Sequence, residues 1–234
     1  MTADGYSLPA SGRHYPSGLQ PASGRHYHGA SLMPSVITHA AVPLALWCAA
    51  DRGRIPPRLL AAGVIAAMLP DADVLAFALH IPYADAFGHR GASHSLLFAF
   101  VLAALAAVLA FFGSGRPWSV VSCQPRLAPA KAGPTVASTV QAAVFVFICA
   151  ASHPLLDAMT SGGLGVALAW PWSEQRFFAP WRPIRVSPFA PQFFSARGVA
   201  TLLSELRWVW LPLAGAVVAW KLIQPAPAAP RDPS

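Results

Sequence analysis

Residues Ser95–Phe112 read SLLFAFVLAALAAVLAFF. After the opening serine, no side chain in the run carries charge or forms a hydrogen bond. The run approaches the roughly 20 apolar residues that a helix needs to cross a bilayer. In lipid every backbone N–H and C=O must be paired inside the protein, so such a run is read as a helix rather than a strand. Four more apolar segments flank it: Val36–Ala50, Leu59–Ile81, Val136–Ala151 and Trp208–Ile223. The first is short for a span. The second is interrupted by Pro70-Asp71-Ala72-Asp73, and the fourth in chain order continues into Ser152-His153-Pro154-Leu155-Leu156-Asp157. Together they predict an all-α fold, an integral membrane helical bundle of about five transmembrane helices over residues 33–224.

Composition agrees. The 234 residues are 55% hydrophobic and only 11% charged, with a mean hydropathy of +0.49. A soluble domain carries about a quarter charged residues, so a large solvated surface is excluded. With 24 prolines and 17 glycines, so is a long coiled coil. The net charge of +7 would suggest nucleic acid in a soluble protein. Here the arginines lie in loops between apolar runs, where they set topology or meet lipid headgroups, and no nucleic-acid partner is expected. Cys48, Cys123 and Cys149 form no CxxC and give neither a disulfide framework nor a thiolate metal site.

The ends differ in character. Residues 1–32 are polar, and Pro9–Tyr15 (PASGRHY) returns as Pro21–Tyr27. They carry no apolar periodicity and no continuous apolar core of a signal peptide, so a disordered tail is expected. Met33 is a second candidate start. His14, His26 and His28 are read as tail residues, and residues 225–234 as a C-terminal tail. Residues 113–134 form a Pro-rich, basic linker. The stretch 160–207 is rich in Pro, Arg and aromatics; Trp170, Trp172, Phe177, Phe178 and Trp181 resemble an interfacial belt.

Charge is scarce, so its position is informative. If all five segments span, seven residues fall on one membrane face: His39, Asp71, Asp73, His89, His94, His153 and Asp157. An ionisable group at membrane depth costs about 2.5–3.5 kcal/mol on insertion scales and marks function by default. His153 and Asp157, four apart, share a helical face. Pro154 is expected at the first position of a new turn. Pro70 breaks the helix behind Asp71 and Asp73, so that an irregular turn can aim both inward. Gly91 lets the chain turn between His89 and His94, and Ser93 is the expected cap of the next helix. The set is imidazole and carboxylate without thiolate, which suits Zn, Mn or Fe, and it exceeds one tetrahedral site, so two or more divalent ions are expected. Each motif alone has a plainer reading: Asp-x-Asp as a helix-end cap, His-x3-Asp as a helix lock. Glu174 is read as a surface acid, His80 as interfacial, and Asp51 and Asp85 as solvated.

The ordered blocks Met33–His39 (MPSVITH), Leu69–Asp73 (LPDAD), His89–Ser95 (HRGASHS) and His153–Thr160 (HPLLDAMT) resemble the YdjM-like inner-membrane proteins, a family labelled membrane-bound metal-dependent hydrolases (LexA-regulated type). The stretch Gly165–Ser173 is similar to the family's segment after the last motif. The resemblance covers about Met33–Trp220. It implies His39, Asp71, Asp73, His89, His94, His153 and Asp157 as metal ligands. The His-x3-Asp element is also similar to one in all-helical, multi-zinc phospholipases C and single-strand nucleases.

The resulting expectation is an integral protein of the bacterial inner membrane that hydrolyses a phosphoester of a lipid or lipid-linked substrate with metal-activated water. Arg90 and Asp73 are the candidates for direct parts in catalysis, Arg90 as a phosphate clamp. Ser95 and Thr160 are candidates for orienting the ligands. The alternatives are a proton- or metal-handling transporter and a structural membrane protein without catalysis. The arginines of residues 51–58 and of the linker lie opposite the motif face, and the positive-inside rule then turns that face outward.

Overall fold

The computed structural model describes residues 35–50, 54–113, 136–187 and 192–224. The expected tails, the 113–134 linker almost entirely, Asp51 and Cys123 lie outside them. Among the described residues the chain is helical, with two isolated bridges, Thr160 to Ile184 and Val166 to Phe177, and no strand. A 3-10 turn at Val36–Ala40 leads into α1 (Ala41–Ala49). Then come α2 (Pro57–Met68), α3 (Leu75–Ala78), α4 (Leu96–Gly113), α5 (Val136–Ala158), α6 (Ala196–Glu205) and α7 (Leu211–Ile223).

Three helical stretches are long and apolar enough to cross a membrane: Pro57–Ala78, Val136–Ala158 and Ala196–Ile223. Val36–Ala49 and Leu96–Phe112 are apolar but shorter. The last stretch starts well before the expected Trp208. Ser195 caps it by accepting from the Arg197 N–H, and a wide π turn at Leu206–Trp210 joins α6 to α7. Its first half carries Arg197, Ser204 and Glu205, which hid it among the polar loop residues.

Prolines shape the rest. Pro57 opens α2, where its missing N–H costs nothing. Pro70 has no N–H for the Ala66 carbonyl, and the helix tightens into a 3-10 turn over Leu69–Val74. Pro154 does not open a new turn: α5 runs unbroken through it. A proline is tolerated inside a packed membrane helix because neighbours re-satisfy the freed groups, and Pro154 is buried among them.

The core joins α2, α4 and α5 through small residues. Ala66, Ala67, Ala99, Ala150 and Cys149 pack with Phe145 and Val146. Small side chains let helices approach closely where water supplies no driving force. Gly63 marks the tightest point: a Cβ there would stand 2.4 Å from the Phe145 ring and 3.0 Å from the Cys149 sulfur. Gly63→Val should therefore lower the melting temperature in detergent by several degrees, at a cost of about 1–3 kcal/mol for overpacking. An unchanged melting temperature would show that α2 and α5 do not pack this closely. The outer face of α4 is apolar, with Phe100, Leu105, Leu109 and Phe112 exposed, as a lipid-facing helix requires.

The irregular stretch 159–187 closes one end of this core. Ala179 N–H donates to Ala158 O, Ser161 N–H to Ile184 O, and Leu96 N–H, at the start of α4, to Leu168 O. The end carbonyls of α5 and an orphan amide of α4 are thus satisfied by the loop.

Candidate metal centre

The start of α1, the Leu69–Val74 turn, the turn before α4 and the end of α5 meet at one place. Pro70 tightens the chain so that Asp71 points into it, and His39 comes from the 3-10 turn ahead of α1. His94 ends the short turn Ala92–His94, before the helix rather than in its first turn. Ser95 is the cap of α4, accepting from Phe98 N–H; Ser93 is not, because its hydroxyl donates to Asp73. His153 and Asp157 share one face of α5, as their spacing predicts.

Asp71, His94, His153 and Asp157 are buried, and each offers a donor atom within 4.8 Å of the others. His94 Nε2 lies 3.0 Å from His153 Nε2, 3.2 Å from Asp157 Oδ2 and 4.0 Å from Asp71 Oδ1. His153 Nε2 lies 3.5 Å from Asp71 Oδ1. Donors about 2.0–2.2 Å from a tetrahedral ion stand about 3.3 Å apart, so these separations bracket the value a metal needs. His39 approaches from the other side. Its Nε2 is 3.7 Å from Asp71 Oδ2 and 3.6 Å from Asp157 Oδ1, and its ring stacks on His153 at 3.7 Å.

The hydrogen bonds at the rear of the rings fix which nitrogen faces the centre. His153 Nδ1–H donates to Ala67 O at 2.7 Å, which leaves Nε2 with a bare lone pair. His94 Nδ1 faces Asp73 Oδ2 at 3.1 Å, so its Nε2 is likewise turned inward. Metal-bound histidines are held this way, by a carbonyl or carboxylate at the other nitrogen. Burial alone would lower the His94 pKa, but the Asp157 and Asp73 carboxylates outweigh it and hold the imidazole at about 9. The field at this point favours a cation.

A metal fits because of what is left unpaired. Both nitrogens of His39 and both oxygens of Asp71 and Asp157 are buried without a hydrogen bond, although Arg90 Nε lies 2.9 Å from Asp157 Oδ2. A buried carboxylate without full compensation costs several kcal/mol, and Arg90 offsets that cost for Asp157 only in part. An ion bound among these donors would offset that cost directly.

Asp73 and His89 stand beside this group rather than within it. Asp73 accepts from Arg90 N–H at 3.0 Å and Ser93 Oγ at 2.7 Å, and lies 2.5 Å from His89 Nδ1. With His94 it serves four partners, which suits a group that aims His94. His89 keeps its Nε2 buried and unpaired, its ring packed against Phe77, Tyr83 and His94. Arg90 is fully buried with φ +62, and its NH1 donates to Thr160 Oγ1 and Gly162 O, both at 3.1 Å. It braces Asp157 against the end of α5 and is not presented as a phosphate clamp. Gly163, at φ +86, must remain glycine-like, since a Cβ would stand 2.8 Å from that NH1. Thr160 thus reaches the centre through Arg90. Glu174, His80 and Asp85 are exposed.

Two residues escaped the sequence reading. Arg176 clamps the 83–89 loop by donating to the carbonyls of Tyr83, Asp85 and His89. Glu205 is buried and accepts from Ser35 N–H, Ser35 Oγ and Thr38 Oγ1, which pins the turn that carries His39. The available signal was its isolation, an acid close to an apolar segment in a chain with few charges. Glu205→Ala should weaken metal binding, measured by chelator competition, about 10-fold, the lower range for losing a supporting partner. Unchanged affinity would detach Glu205 from the centre.

A family model described as YdjM inner membrane protein matches residues 33–228. The chain is 46% identical over 181 residues to the inner membrane protein YbcI of Escherichia coli (strain K12), an alignment spanning 77% of this chain and 92% of that protein. No solved structure matches it.

Proposed function

The chain belongs to the YdjM inner membrane protein family, and from that footing we propose that it is a metal-dependent hydrolase of the bacterial inner membrane acting on a phosphoester of a lipid or lipid-linked substrate. The observation that carries this reading is the set of buried donors on His39, Asp71 and Asp157, those of His39 and Asp71 without a hydrogen bond, beside the inward nitrogens of His94 and His153. Asp71, His94, His153 and Asp157 would hold one ion, Zn by donor chemistry, with Mn or Fe also suited. Each aspartate turns one oxygen to that group and the other to His39, so His39, Asp71 and Asp157 would together hold a second ion. Bound there, divalent metal supplies an activated water and a Lewis acid for a phosphoryl oxygen.

The protein's own groups have defined tasks in this scheme. Asp73 and the Ala67 carbonyl hold the outer nitrogens of His94 and His153, so both inner nitrogens face the ion site, and His94 would release its inner proton on binding metal. Arg90 pairs with Asp157 and holds its orientation. Catalysis is favoured over a transport pathway by the position of most donors. His39, His94, His153 and Asp157 lie where α1 and α4 begin and α5 ends, and only Asp71 comes from an interrupted helix of the kind on which a transporter places its midplane site.

We place the site on the extracytoplasmic face. Arg54 and Lys221 lie at the opposite end, where Gln141 reaches Arg54 O and Lys221 reaches Ala50 O, and short basic loops face the cytoplasm. The arginines of the long 160–207 stretch weigh less because the rule weakens for long loops. Cysteines placed at Arg54 and at exposed Ala84, in the loop ahead of His89, should label from opposite sides; labelling from one side would end this topology. The activity is tested by incubating reconstituted protein and Asp157→Asn with inner-membrane lipid extract and following phosphorus NMR. Metal-dependent appearance of a new phosphate resonance with the wild type alone is expected. Identical spectra for both proteins across Zn, Mn and Fe would refute the hydrolase reading.

A further inference from the structure

Beyond the metal centre, the chain carries a basic and aromatic surface at the same end of the bundle. Trp181 meets Trp208 edge to face at 4.9 Å, joining the long loop to the π turn of the last helix. The Arg207 guanidinium lies over the Trp208 ring at 4.9 Å, and Arg182 lies over Phe178 at 4.7 Å. Arg185 is brought alongside through its backbone N–H, which donates to Ser204 Oγ at 3.0 Å. Thr201 Oγ1 donates to Val186 O and fastens the same loop to α6. The three guanidinium groups are exposed, and none is ion-paired among the described residues. Trp181 is 56% exposed. Glu205, the acid nearest in sequence, is buried and committed to Ser35 and Thr38.

This combination matches one occupant. Exposed indole rings settle at the headgroup level of a bilayer. Arginines held over aromatic rings keep their outer N–H groups free for phosphate oxygens, which guanidinium matches bidentately. We propose that Arg182, Arg185 and Arg207, set among Phe178, Trp181 and Trp208, bind the headgroups of anionic phospholipids. The surface lies next to the site, because Ile184, between Arg182 and Arg185, exchanges backbone hydrogen bonds with Met159 and Ser161, just beyond Asp157. The lipid therefore sits beside the end of α5 that carries the metal ligands. The inference does not depend on hydrolysis and stands or falls separately from it.

The test uses the full chain in phosphatidylcholine proteoliposomes containing spin-labelled phosphatidylglycerol or spin-labelled phosphatidylcholine. The motionally restricted fraction gives the relative association of each lipid. The wild type should prefer phosphatidylglycerol severalfold, since each arginine near the surface favours anionic lipid. The preference should fall to parity in 1 M NaCl, where screening acts over about 3 Å, and in the triple variant Arg182→Gln/Arg185→Gln/Arg207→Gln. The metal content of that variant should equal the wild type. Parity in the wild type, a preference that survives 1 M NaCl, or one unchanged in the triple variant would overturn the proposal. Loss of the preference on adding millimolar glycerol 3-phosphate would also overturn it, because the ligand would then be a soluble phosphate ester. If the variant does not fold, the salt series on the wild type still decides.

Discussion

Asp157→Asn is expected to lose at least about nine-tenths of its bound metal while remaining inserted, with a lower melting temperature because Arg90 loses its counter-charge. The substitution keeps the shape and one acceptor oxygen, so Arg90 retains a partner for Nε and the end of α5 keeps its hydrogen bonds. What disappears is the negative charge and one strong donor at the point where His39, His94 and Asp71 converge. Losing only a partner behind a ligand costs 10–100-fold in affinity, so losing a ligand's charge should cost at least that. A helix-locking role would behave differently. A hydrogen bond between membrane helices averages about 0.6 kcal/mol, and its loss would leave metal content alone. Chelator competition on the purified variant separates the two. Wild-type affinity in Asp157→Asn would make the pair structural.

The second large effect is expected at Arg90. Arg90→Leu should fold poorly or melt far below the wild type, because it strips Asp157, Thr160 and Gly162 of one common partner. Removing one member of a buried ion pair costs about 3–5 kcal/mol, since the other charge stays buried alone. Arg90→Lys should rescue only partly, because a single ammonium cannot reproduce the fork that spans these partners. Thermal unfolding in detergent, with and without added metal, reports the result. Added metal should recover part of the loss by neutralising Asp157. An Arg90→Leu protein that melts with the wild type would remove Arg90 from this role.

The contrast between these two residues shows what was readable beforehand. The convergence of His39, Asp71, His94, His153 and Asp157 followed from topology alone: helices that cross and return must bring those segment ends together. Asp71 and Asp73 could not be told apart, because two residues on a proline-tightened turn point in directions set by packing. Only in three dimensions is Asp73 seen to be occupied by Ser93, His89, His94 and the Arg90 amide. Arg90 read as a phosphate clamp because its chemistry permits it; its burial depends on Gly163 and on the loop that folds over α5, which no local pattern announces. Glu205 was lost because α6 is too polar to be recognised as continuous with the apolar run that follows it. Pro154 misled for a related reason, since the rule that proline ends a helix assumes solvent, and here neighbours surround it.

The central claim is that the buried histidines and aspartates hold metal. Elemental analysis of the full chain, purified in detergent without added chelator, tests it most directly, with Asp71→Ala prepared alongside. Asp71 lies between the inward nitrogens of His153 and His39, so its loss should disable the centre wherever the ions sit. At least one ion of Zn, Mn or Fe per wild-type chain is expected, and about a tenth of that or less in Asp71→Ala. A wild-type chain free of metal, or equal metal in the two proteins, would contradict it.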